Sequence, residues 1–317
     1  MRLLPIGLLV AANALWGSSY VVAKVAMDAI PPPLLAALRF TLAAVALWLI
    51  LLTLDKTRKF PSPADAFRLL GLGAVGIGAN GLLGYWGVSL TTATDAALLI
   101  VGEVLFTTAL SVLLTSDRLT PLRGIGLLIG VAGIVVLVLG GATAPATSAA
   151  PNRVLGDLLI LAGLAFESAH TVLGTRLTQR YDPLTVLTLT VTGSCVLWLP
   201  TIGLYVFGHT PRMPGATAVA GVLYLALVAS VACYLVWFSV LQRSGATLGA
   251  LSLLAQPVVG AALGIMLLGD ALTGTTLIGG ACVLACLILA SIRQSGAGAA
   301  NGCRNVNAAG VGPSRRS

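Results

Sequence analysis

The residues best equipped for chemistry are carboxyl and amide groups set inside long apolar runs. Glu103 is the only charged residue between Asp95 and Asp117, near the middle of one such run. A shift of 153 residues brings it onto Gln256, in the middle of another. An ionisable group in hydrocarbon costs at least about 2.5–3.5 kcal/mol, so each is a functional candidate. Glu103 reads as a substrate contact or a proton-carrying carboxyl; the plainer reading is a protonated acid bonded to a neighbouring helix. Glu167 and His170 stand three apart and so share a helical face. Glu-x-x-His is also the spacing of di-iron sites in bundles, which need a second such motif and further carboxylates. The only other histidine, His209, falls in a loop, so no metal is expected. The pair reads as lining a pathway or as a structural polar pair. No G-x-x-x-x-G-K-[ST] loop occurs, which argues against ATP as an energy source. Nothing calls for a cofactor or a catalytic residue.

A second group surrounds the first. Asn13, Gly17, Tyr20 and Lys24 share a face at spacings of 4, 3 and 4, with Trp16 beside it. Asn13 and Tyr20 suit a polar solute, and Trp16 and Tyr20 suit stacking or plain packing. Asn80 is a further polar candidate, and Tyr234 and Trp237 could line the same space or serve as packing and belt aromatics. Lys24 and Asp28 read as interfacial. Arg39, near an apolar run's end, reads as snorkelling or pairing with Asp28. Gly73, Gly76, Asn80, Gly84 and Gly87 fall on one face, as either close packing or a cavity wall.

The elements that must hold these groups are membrane helices. Of the 317 residues, 57% are hydrophobic and 9% are Asp, Glu, Lys or Arg, against about 25% charged in soluble domains. Mean hydropathy is +1.00. Continuous apolar runs of roughly 20 residues, the length that crosses about 30 Å of hydrocarbon, exclude an alternating β-barrel. Ten spans are expected, at about 4–24, 33–53, 68–89, 93–115, 121–140, 154–175, 183–206, 216–241, 246–268 and 273–292. Arg2 and the first apolar run imitate a signal peptide. The run continues through Trp16 to Val22, which favours a retained span. Four of the five cysteines, Cys195, Cys233, Cys282 and Cys286, lie in apolar runs and read as packing residues.

Gly140–Arg153 contains no Leu, Ile, Val or Phe and falls near the centre of the chain. Either side of it the same pattern is written twice. A shift of 150 superposes Pro33-Leu34 on Pro183-Leu184 and Leu47-Trp48-Leu49 on Leu197-Trp198-Leu199. A shift of 153 superposes Asp117 on Asp270 and Leu119-Thr120 on Leu272-Thr273. Five spans per copy is odd, so the second copy enters the membrane inverted, as in many secondary transporters. The expected organisation is one repeat over 1–140, a polar linker over 141–153, a second repeat over 154–293 and a disordered cytoplasmic tail over 294–317. With the N-terminus placed in the cytoplasm, fourteen of the 18 basic residues lie on that side. Three, Lys24, Arg153 and Arg212, lie on the other, and Arg39 lies within span two. That asymmetry puts both termini inside. It also accounts for the net charge of +8 without nucleic acid.

Leu15-Trp16-Gly17-Ser18-Ser19-Tyr20 with Lys24, Ala36-Ala37-Leu38-Arg39-Phe40, Gln256-Pro257 and Leu268-Gly269-Asp270-Ala271-Leu272-Thr273 resemble EamA-type members of the drug/metabolite transporter superfamily. The resemblance runs to about residue 293. Two departures stand out: Glu103-Val104 where the family often has proline, and Asp117 and Asp270 where glutamate is usual. The resemblance implies a ten-helix exporter of small metabolites or drugs in the cytoplasmic membrane. The pathway candidates are Asn13, Trp16, Tyr20, Asn80, Glu103, Glu167, His170, Tyr234, Trp237 and Gln256, with Glu103 and Glu167 as candidates for proton coupling. The partners expected are a small-molecule substrate, the lipid bilayer and, left open, further copies of the chain. The rival readings are an intramembrane enzyme and a structural or sensory membrane protein without flux.

Overall fold

The computed structural model describes residues 3–54, 60–114, 119–144, 147, 150–178, 180–208, 214–244 and 251–292. Asp117, His209, Arg212, the first residues of the ninth expected span (246–250) and the 294–317 tail lie outside them. Ten helical rods make up the described chain. We number them α1 (Leu3–Met27), α2 (Pro32–Leu54), α3 (Pro63–Leu90), α4 (Ala93–Leu114), α5 (Pro121–Thr143), α6 (Arg153–Thr178), α7 (Pro183–Gly208), α8 (residues 216–244), α9 (Ala255–Leu268) and α10 (Gly274–Ile292). Nine are long and apolar enough to cross a membrane, and α9 is a shorter apolar helix.

The starts of these helices follow from local chemistry. Ser62, Thr92, Thr120 and Thr273 each accept a bond from a backbone N–H three residues on, satisfying a donor that has no partner within the helix. Pro follows at the first helical position of α3 and α5, where a missing N–H costs nothing. Thr120 and Thr273 are counterparts under the 153-residue shift, so the two copies start their last helix with the same device. The α5 helix runs to Thr143, past the expected boundary at 140. The glycines there allow close contact, Gly140 facing Thr275 and Gly141 facing Arg153 and Asp157.

Contacts across the molecule give the inversion directly. Gly126 faces Leu289, Gly130 faces Cys286, Gly133 faces Cys282 and Gly140 faces Thr275. Rising numbers on α5 therefore meet falling numbers on α10. In the same way Phe40 stacks on Trp198 at 6.3 Å and Trp48 donates to Thr192 at 2.9 Å, so α2 and α7 run antiparallel. Each pair consists of a helix and its own counterpart. The fold is two inverted five-helix repeats. The repeats interlock: the most extensive helix pairs, α3 with α6 and α7, α5 with α10, α1 with α8 and α9, and α2 with α7, all join one copy to the other. Two large apolar cores and a smaller one around Leu69, Leu177, Val186 and Leu189 result. One large core gathers Leu35, Leu47, Trp198 and Leu225 from α2, α7 and α8; the other gathers Leu99, Val101, Leu137 and Val283 from α4, α5 and α10.

Two irregularities recur in both copies. Residues 74–78 of α3 and 224–232 of α8 are wound as π-helix, and their starts differ by 150 residues. Such stretches are rare and gather at functional sites. The α4 rod is interrupted at 99–100 and the chain before α9 at 253–254. Both breaks therefore create a new helix start deep in the protein, at Val101 and at Ala255.

Candidate functional site

Glu103 and Gln256 sit in the first turns of those two internal helix starts. The N–H groups of Gly102, Glu103 and Gln256 are taken up by carbonyls three residues back, and each start presents the positive end of its helix dipole. Interrupted helices in paired positions are where transporters of inverted-repeat design hold their substrates. The Glu103 carboxyl takes no hydrogen bond from the described residues, while its backbone carbonyl accepts from Ser168 on α6 at 3.1 Å. One residue back along α6, Glu167 accepts from Asn80 of α3 at 3.1 Å. The two carboxyls are within Coulomb range of each other, which in a low-dielectric interior is a repulsion that a cationic group or proton between them would relieve.

Facing these acids is an aromatic wall. The Trp16 ring meets Tyr234 edge-on at 5.0 Å and Trp237 at 5.8 Å. Its indole N–H donates to the Ala229 carbonyl at 2.6 Å. That carbonyl belongs to the π-helical part of α8, so Trp16 ties α1 to the irregular turn. Tyr20 lies within Coulomb range of Glu103, and Tyr234 within range of both Glu103 and Glu167. Trp16, Tyr20, Asn80, Glu103, Glu167, His170, Tyr234, Trp237 and Gln256 are all half-buried.

Asn13 and His170 are packed more closely than the others. Asn13 is fully buried: its amide donates to the Leu9 carbonyl at 2.9 Å and to Ser252 at 3.0 Å. It pins α1 to the segment before α9 and is withdrawn from the accessible wall. His170 stands three residues from Glu167 but packs its Cβ against Gly76 of α3. The five-residue face expected on α3 is also divided. Gly73 meets Thr190 of α7, whereas Gly76 and Gly87 meet α6, because the π-helical stretch lies between Gly73 and the rest.

Arg39 corrects the sequence reading most sharply. It neither snorkels nor pairs with Asp28. Its Nε donates to Ser230 at 2.7 Å and its Nη1 to Tyr85 at 2.7 Å. The guanidinium lies 5.2 Å from the Phe40 ring centroid and 5.9 Å from that of Tyr85. Both hydrogen-bond partners are neutral, so the charge is uncompensated by an acid among the described residues, and Nη2 makes no hydrogen bond there. Arg39 lies within Coulomb range of Tyr20 and Tyr234, each of which is also within range of Glu103. Tyr85 is a site residue the sequence reading missed; the signal was its position one turn after Gly81 on the small-residue helix. Toward the face where α1 begins, a cavity of about 190 Å³ is lined by Val104, Thr107, Thr108, Ser111 and Arg123 among others. It starts at the residue next to Glu103.

At the opposite face the helices are tightly closed. Gly87 and Gly156 bring the backbones of α3 and α6 together, each glycine facing the other's carbonyl. Arg153 clasps one oxygen of Asp95 through Nε at 3.0 Å and Nη2 at 2.5 Å. Thr91 donates to Asp157 at 2.5 Å, and Asp270 accepts from the N–H and the hydroxyl of Thr94, both at 2.8 Å. Asp157 lies inside the sixth expected span and was a legible intramembrane charge that the sequence reading passed over. At the face where α1 begins, Asp65 accepts from Tyr181 at 2.7 Å and Arg68 at 3.0 Å.

Comparison with known proteins places this geometry. Residues 3–139 match the EamA-like transporter family, and residues 154–292 match it again. The chain is 29% identical to a probable amino-acid metabolite efflux pump of Salmonella typhimurium, over 86% of this chain and 90% of that one. It is 26% identical to a probable terminal-alkyne amino-acid exporter of Streptantibioticus cattleyicolor, over 89% and 91%. It is also 26% identical to an uncharacterized transporter of Bacillus subtilis, over 90% and 86%. A solved crystal structure superposes with a TM-score of 0.62 at 21% identity, covering 92% of this chain and 98% of the other, a likeness of fold.

Proposed function

Because the chain belongs to the EamA-like transporter family, and is therefore a multi-pass membrane transporter and not an enzyme, we propose that it exports an amino acid or a closely related metabolite. Export is across the cytoplasmic membrane by alternating access, with both termini in the cytoplasm. The face where α1 begins is then cytoplasmic and the face closed by Asp95, Arg153 and Asp157 is external. The two repeats, 1–140 and 154–293, joined by the 141–153 linker, are the bodies that rock.

One observation carries the substrate class. The chamber opposes two carboxyls, Glu103 and Glu167, to a wall of Trp16, Tyr234 and Trp237, with the Arg39 guanidinium in electrostatic reach. A zwitterion with an apolar side chain matches all three. Its ammonium goes to the acids, its carboxylate to Arg39, whose planar fork suits that group, and its side chain to the rings. Two relatives named for amino-acid export support the reading. The cavity below Glu103 is the route of entry from the cytoplasm. Glu103 and Glu167 would bind substrate and proton in alternation, which couples efflux to the proton gradient.

The test is counterflow of labelled amino acids in proteoliposomes. Aromatic and large apolar amino acids should exchange, and Arg39→Gln should abolish their exchange. Movement of another solute class, with amino acids inert, would overturn the substrate assignment. Proton coupling fails if E103Q and E167Q each leave flux driven by a pH jump unchanged.

A further inference from the structure

The external closure holds one negative charge too many. Asp95 and Asp157 are 1% and 0% exposed, and the Arg153 side chain is 9% exposed. Arg153 gives both of its bonds to Asp95. The next charges outward are Asp270, within Coulomb range of Asp95, and Lys24, within range of Asp270 and of the exposed Asp28. Arg153 balances Asp95, and Lys24 is shared between Asp270 and Asp28, the latter in contact with water. Asp157 is left over. The groups that face it are Thr91 at the end of α3, Asp95 on α4, Gly141 on α5 and Arg153 on its own helix. Thr91 bonds one of its oxygens, and the other is buried without a partner. The second Asp95 oxygen is in the same condition.

An isolated carboxylate out of contact with water is among the most costly arrangements a protein can hold. Two routes relieve it: a metal cation or a proton. Hard cations gather several oxygen ligands, and no cluster of three or more His, Cys, Asp or Glu suited to a metal occurs among the described residues. A proton needs one oxygen, and the bare Asp157 oxygen supplies it. The geometry points to a proton held on Asp157 while the external face is closed and released when that face opens. Asp157 then belongs to a proton-linked latch built from α3, α4 and α6, separate from the chamber acids. Opening would part Thr91 from Asp157 and Asp95 from Arg153, hydrate Asp157 and return it to the charged form. The proposal rests on the alternating-access reading for its opening step; the proton itself does not depend on that reading.

Two measurements on the purified full chain separate these parts. The infrared carbonyl stretch of a protonated carboxylic acid reports the proton without any substrate. The band should lose intensity in Asp157→Asn relative to wild type and keep it in Asp65→Asn, whose acid lies at the opposite face. A D157N spectrum identical to wild type in that region overturns the proposal, whatever the protein transports. Amide hydrogen exchange, normalised for the intrinsic effect of pH, reports the opening. In wild type, protection of residues 87–95 and 153–158 should fall several-fold from mildly acidic to alkaline pH, while residues 180–186 stay constant. In D157N protection should stay high throughout. Wild-type protection that ignores pH overturns the link to opening and needs no variant to fold. Protection restored at alkaline pH by sodium chloride but not by choline chloride would name the ligand as a sodium ion and overturn the proton.

Discussion

The contact of α1 with α9 and the contact of α6 with α4 are the same contact made twice, once in each orientation. In the first, Gly17 lies against the backbone of Gln256 and Gly260 with no room for a side chain. Under the repeat shifts Gly17 corresponds to Glu167 and Gln256 to Glu103. The second contact therefore replaces a glycine–amide seam with two carboxyls. A similar exchange divides the facing helices. Asn80, Gly84 and Gly87 on α3 correspond to Ser230, Tyr234 and Trp237 on α8, so one wall is polar and small and its counterpart is aromatic. Inverted repetition supplies matched depth and matched helix breaks. Divergence of side chains at the matched positions then gives the proposed chamber two chemically different sides.

The comparison can be broken at either contact. The largest effect is expected from Glu103→Gln combined with Glu167→Gln, which makes the charged contact resemble its neutral counterpart. Counterflow should fall more than about tenfold, equivalent to about 1.4 kcal/mol or more in binding, with the melting temperature in detergent little changed. Gly17→Val attacks the other contact. The added branches would collide with the Gln256 carbonyl, and overpacking of this kind costs about 1–3 kcal/mol, read as a loss of thermal stability. Trp16→Phe keeps the ring contacts with Tyr234 and Trp237 and removes the bond to Ala229. A stability loss of about 0.5–1.5 kcal/mol is expected. Gly84→Ala should be the mildest change. An added Cβ there approaches only the Asn80 Oδ1, and replacing a mid-helix glycine stabilises by roughly 0.5–1 kcal/mol. A melting temperature that drops on this change would show that α3 needs its bare surface at Gly84.

The fold was legible where the sequence carries long-range redundancy. Pro33 with Pro183, Trp48 with Trp198 and Thr120 with Thr273 recur in constant register, and apolar length did the rest. Glu103 and Gln256 were legible as a matched pair for the same reason. The helix breaks beside them went unread. Residues 99–100 are Leu-Ile, with no proline to announce the first break; the second, at Leu253-Leu254, falls where Pro257 lacks the N–H that would bond the Leu253 carbonyl, a signal the sequence reading did not use. Arg39 misled because a basic residue toward a helix end normally reaches for water, and only tertiary contacts reveal that Ser230 and Tyr85 turn it inward. Asn13 misled in the opposite sense. It shares a helical face with Tyr20, yet Ser252 from a distant segment takes that position for a bond between helices.

The wide turns at 74–78 and 224–232 carry a last consequence. A π-helical turn accommodates one more residue than an α-helical one, and each residue of an α-helix turns the chain by about 100°. Deleting a single residue such as Val75 would let α3 rewind as a regular helix. Because the wide turn takes up its extra residue without advancing the helix, everything beyond it would keep its phase, with Asn80 still at Glu167 and Gly87 still at Gly156, whereas loss of a residue from a regular helix would swing the part beyond by about 100°. Length at these two places is therefore slack in the winding, which a chain one residue shorter in α3 would give up without re-aiming the far half of the helix.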